Sequence, residues 1–139
     1  MPAVKSASWS LQKAIYTTVD AAVGATPVYD YVPETATPPY VTVGIDESND
    51  WGSKTWEGQE IIATVDSWST RYGRLEAKAI IDAAQQALAT DTELDLTGDG
   101  FDLILQRMLS SEVQLEEYLP GELAYHGSLK MRYLIQQQI

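Results

Sequence analysis

From residue 101 to near the end of the chain, two long stretches alternate apolar and polar residues on either side of Leu119-Pro120-Gly121. No other feature restricts the fold as much, because a period of two belongs to strands with one buried face. Within 101–115, Leu103, Leu105, Leu109, Val113 and Leu115 share one parity. After the turn, Leu123, Tyr125, Leu129, Met131, Tyr133 and Ile135 face one way, with His126, Ser128, Lys130, Arg132 and Gln136 on the other side. Two such strands around a Pro-Gly turn pair most simply as a hairpin.

Upstream, the pattern changes period twice. Leu11, Ile15, Thr18, Val19 and Ala22 fall on one helical face, with Ser8 or Ser10 as cap and Gly24 as terminator. Leu75, Ala79, Ile80, Ala83, Ala84, Ala87 and Leu88 form the stripe of a second helix over 72–88. Between the two lie strand patterns at 28–32, at 40–46 (Val41, Val43 and Ile45 on one side) and at 61–68. The last is apolar on both faces, as in a central strand. Strands in runs, instead of strict strand–helix alternation, predict an α+β fold. Two helices should pack on one face of a largely antiparallel sheet of about five strands. A length of 139 residues fits a single domain, 1–139.

Composition removes several functions. The chain has no cysteine, so disulfides, thiolate metal sites and a cysteine nucleophile are excluded. A net charge of −11 repels phosphates and argues against a nucleic-acid-binding module. There is no continuous apolar run of membrane-spanning length, and Lys5 precedes no signal-type apolar region. His126 is the only histidine, and its neighbours place it on the polar face of a strand, where solvation is its expected state. Neither a nucleophile elbow nor a phosphate-cradling loop occurs. The expectation is no catalytic residue and no cofactor.

Asp95-Leu96-Thr97-Gly98-Asp99-Gly100 mimics the start of a calcium loop. Thr97 is a poor third-position ligand, and the twelfth position is Gln106 where a bidentate Glu is required. The flanks read as loop and strand where two helices are needed. A metal site on Asp95, Thr97 and Asp99 is therefore rejected in favour of a tight turn, with Gly98 or Gly100 supplying positive φ.

Trp51 and Trp56 stand in a polar stretch, 47–58, longer than a hairpin needs. Each indole either folds back over the sheet or anchors a partner.

Several segments, taken in order, carry a resemblance. Leu11-Gln12-Lys13-Ala14-Ile15-Tyr16 opens a helix, and Val28-Tyr29-Asp30-Tyr31-Val32-Pro33 is a strand closed by proline. Pro39-Tyr40-Val41-Thr42-Val43-Gly44 starts a further strand. Val65-Asp66-Ser67-Trp68-Ser69, then Gly73-Arg74 and Glu76-Ala77, marks a strand-to-helix junction. Tyr125-His126-Gly127-Ser128-Leu129-Lys130-Met131-Arg132-Tyr133 is the last strand. Together they resemble the tail terminator (tail-completion, head–tail joining) proteins of long-tailed bacteriophages and gene transfer agents. The acidic loop 91–100 departs from that pattern. The resemblance implies a structural virion protein, made in the host cytoplasm. It implies a homo-hexameric ring that caps the head-proximal end of the tail tube and ends its polymerisation. Its partners would be further copies of itself, the tail tube protein and the head connector or neck, with DNA passing through the lumen unbound and no membrane involved. Trp51 and Trp56 are then the candidate interface residues. The alternatives are another neck component, such as a head-closure or adaptor protein, or a small calcium- or ligand-binding protein.

Overall fold

The structure, a computed structural model, describes residues 6–53, 55–70, 74–89 and 94–138. Lys5, Tyr72 and Gly73 at the second helix start, and residues 90–93 of the acidic loop lie outside the described residues. Helix α1 spans Ser8–Ala22 and β1 Val28–Tyr29, followed by β2 (Tyr40–Asp50) and β3 (Gly58–Ser69). Helix α2 spans Arg74–Ala87, a 3-10 turn Thr97–Asp99, and the chain ends with β4 (Phe101–Leu119) and β5 (Glu122–Gln137). The five-stranded sheet has the order β1-β2-β3-β5-β4, antiparallel except for the short β1–β2 pairing. Both helices lie on one face of it, giving the α+β fold that the periodicities predict.

Helix α1 buries Leu11, Ile15 and Val19, the i, i+4, i+8 stripe expected. Its start differs from expectation. Ala7 precedes the first turn, and neither Ser8 nor Ser10 acts as the cap. The Ala7 amide donates to Gln59 Oε1 on β3 at 3.0 Å, and Ser10 turns its hydroxyl elsewhere. Gly24 takes a positive φ of 65° just past the helix, where only glycine is unstrained.

The stripe of α2 is rotated from the one expected. Leu75 and Ala79 are exposed, and Ala77, Ile80, Ile81 and Ala84 are buried. Contact at Ala77 decides the phase. A Cβ on Gly127 of β5 would lie 2.4 Å from Ser67 Oγ and 2.6 Å from Ile81 Cγ1, so only a glycine lets the helix come this close. Ser67 Oγ then donates to the Ala77 carbonyl at 3.0 Å, and Ser69 Oγ to Glu76 Oε1 at 2.7 Å. Both serines are buried, and both are satisfied by α2.

The β4–β5 hairpin forms as expected, but the single parity of β4 does not survive. Leu103 pairs with Ile135 and Leu105 with Leu134, so the ladder skips Ile104; it skips Leu109 between Met108 and Ser110 as well. Each bulge inserts one residue and moves the following side chains to the opposite face. Gln106 thereby turns inward and donates from Nε2 to the Ala89 carbonyl beyond α2 at 3.1 Å. Leu109 and Leu115 are exposed, and so is Leu123, expected on the buried face. These last two lie where the hairpin passes the end of β3, whose pairing stops at Ser69↔Tyr125.

Two further boundaries move. The strand expected at 28–32 pairs only at Val28 and Tyr29, and the polar stretch 47–58 gives its two ends to the ladder, 47–50 to β2 and Gly58 to β3, with pairing through Asp50↔Gln59. What remains between β2 and β3 is 51–57.

Candidate functional site

The open face of the sheet, away from the helices, carries one constellation that periodicity did not reveal. Trp68 of β3 and His126 of β5 are register partners, and their rings stack at 4.1 Å with planes 3° apart. Asp66 Oδ1 approaches His126 Nε2 at 2.6 Å, and Glu116 Oε2 of β4 approaches Nδ1 at 2.9 Å. A neutral imidazole has one N–H, so two carboxylates at hydrogen-bond distance select the imidazolium, which donates from both nitrogens. The Asp66 hydrogen bond is the main force raising the His126 pKa, working against the partial burial of the ring. Solvation was the expectation for this residue, and it is overturned. His126 ties β3 to the edge strand β4 across β5. With both nitrogens engaged, neither is placed to take a proton from a nucleophile.

Nothing in the sequence periodicity brings these four residues together, because β3–β5 pairing joins strands separated by α2. Trp68 and His126 were each legible, and their opposition was not.

The calcium-like turn resolves into two separate latches. Asp95 Oδ1 accepts from the Thr97 amide at 3.0 Å and from Thr97 Oγ1 at 2.6 Å, an Asx turn that lowers the Asp95 pKa. Asp99 instead turns toward α1, where Oδ2 accepts from Ser10 Oγ at 2.8 Å and pairs with Lys13 Nζ at 3.3 Å. Those contacts lower its pKa, the Ser10 bond most. Gly100, with φ 90°, is the left-handed residue of the turn. Among the described residues no group of His, Asp and Glu is arranged to hold a metal.

Trp51 and Trp56 meet edge-to-face at 5.0 Å over Gly58, where a Cβ would stand 2.7 Å from Trp56 and 3.0 Å from Trp51. The Trp51 amide donates to the Gly58 carbonyl at 2.9 Å, closing the loop beneath the pair. Both indoles are half-buried. They cover the end of the sheet and still present a face outward.

This architecture has relatives. The family model for tail completion protein gp17 matches residues 14–136. The chain belongs to the tail completion protein gp17 family. It is a structural protein of the phage tail and a component of the virion, and its family is not a known enzyme family. A chain of the virion of a native gene transfer agent particle has the same fold, with a TM-score of 0.75 and 21% identity. That match covers 96% of this chain and 99% of the other. No curated protein matches the sequence. Among the described residues no helix of this tail completion protein is long and apolar enough to cross a membrane.

Proposed function

We propose that this chain, acting as one domain over 1–139, forms the six-fold ring that caps the head-proximal end of the tail tube. In this role it ends tube polymerisation and joins the tail to the neck or connector. The observation that carries the reading is the family match along 14–136, which takes in every strand of the sheet except the final residue of β5. A virion chain of the same fold supports it. Charge fits as well: at −11, a ring of such subunits disfavours the phosphate contacts that would hold DNA in its lumen. Trp51 and Trp56, with a face outward at one end of the strands, are the contact with the tube or a neighbouring subunit. The protein needs no cofactor or metal for this.

Native mass measurement of the purified chain, alone and mixed with tail tube protein, tests the ring. Six-fold species are expected in at least one condition. A two-fold dimer as the only assembled species in both would overturn it, because a ring requires two different faces to meet.

A further inference from the structure

Two uncovered surfaces lie at opposite edges of the sheet. On the β4 edge, the first two of the ladder's three register shifts leave out Ile104 and Leu109, 49% and 47% exposed. Bulges at an edge re-aim a side chain, and edges are ordinarily protected by charge or proline. Here two aliphatic side chains stand exposed among the charges of the strand. Arg107 lies between them, the only cation in β4. It stands opposite Arg132, whose guanidinium is held by Glu60 at 2.7 Å. Like charges facing each other across a ladder are destabilising, and among the described residues no carboxylate pairs with Arg107.

At the other edge, α1 and β1 frame a groove with about 730 Å³ of open space, walled by Trp9, Tyr16, Tyr29 and Tyr31. Trp9 is 65% and Tyr31 81% exposed, a large area of aromatic surface to leave in water. Asp30 lies in the wall, accepting from Gln12 Nε2 at 2.5 Å; the groove's own cation, Lys13, is paired with Asp99, and Asp30 has no cation partner among the described residues.

We infer that these surfaces are the two halves of one contact between copies of this chain. The β4 edge of one copy enters the aromatic groove of the next, with Ile104 and Leu109 against the rings and Arg107 against Asp30. An aliphatic edge whose cation pairs with no carboxylate among the described residues complements an aromatic groove whose Asp30 pairs with no cation among them. The two surfaces lie on opposite edges of one sheet, so a single two-fold partner cannot cover both at once. Because they lie at opposite edges, the contact repeats head to tail and closes when the rotation fits. The inference rests on the ring reading and names the faces that make it.

The test uses the absence of native cysteine. Leu109→Cys and Tyr31→Cys, both at exposed positions, are made singly and together. Under mild oxidation, with and without tail tube protein, the double variant should give a covalent ladder ending at six copies. A mixture of the two single variants should stop at a covalent pair. Alongside, Arg107→Asp and Asp30→Arg should each weaken assembly roughly tenfold or more with unchanged melting, and their combination should restore it. If the wild type assembles but no Leu109→Cys to Tyr31→Cys bridge forms and the swap does not restore assembly, these faces are wrong and the ring stands. A wild type that remains monomeric in both conditions, with no bridge formed, overturns the ring and this contact together.

Discussion

His126 shows how one residue acquires a role from its surroundings. Its pKa is raised in the folded chain by Asp66 and Glu116, so the imidazolium is the form that folding favours. A raised folded pKa gives stability that is complete below the unfolded value of 6.5 and is lost as pH rises through the folded value. Glutamine can keep a hydrogen bond to one carboxylate but carries no charge. The expected result is that the melting-temperature deficit of His126→Gln is largest at about pH 6 and shrinks as the pH rises through the raised folded value and the wild-type imidazolium gives up its proton. Thermal melts of both proteins across that window check it. An equal deficit at both ends would mean that the Trp68 stack, not the charge, is what the residue contributes.

At the scale of elements, the seating of α2 depends on a missing side chain. Gly127 is buried under the helix, and any Cβ there meets Ser67 and Ile81 inside contact distance. Overpacking a filled core forces side chains and backbone to shift, typically at about 1–3 kcal/mol. Gly127→Ala should destabilise by that amount. Gly44→Ala is the control, because a Cβ there meets nothing within 4 Å. Denaturant unfolding of the two variants compares them directly, and similar midpoints would show that α2 can rise off the sheet without loss. The loop 51–57 is a second case. Trp51 and Trp56 have contacts of their own over Gly58, so the pair is part of the fold even where it meets a partner.

For the whole molecule, the Trp pair separates folding from assembly. Truncating a true interface anchor costs about 2 kcal/mol or more in binding. Trp51→Ala and Trp56→Ala are expected to lose ring or tube binding beyond what their melting temperatures account for. Calorimetric melting and native mass measurement on the same samples provide the comparison. Variants that melt early yet assemble normally would make the pair sheet cover alone, and would leave the contacts to β4 and the α1 groove.

The α+β class, the C-terminal hairpin, the face of α1 and the centrality of β3 were all legible in the sequence. Each depends on a local period or a turn residue, and the buried face of Leu11, Ile15 and Val19 needs no knowledge of the partner that covers it. Sequence order also carried the likeness to tail terminators, which the family match bears out. The tertiary structure alone decided the rest. A bulge leaves no mark on composition, so the changes of face in β4 after Ile104 and Leu109 appear only once β5 is alongside. The phase of α2 was settled by the space over Gly127, a residue far away in sequence. Trp68, His126, Asp66 and Glu116 became one cluster because nonlocal pairing aligned three strands, and alternation within a strand contains no register against another.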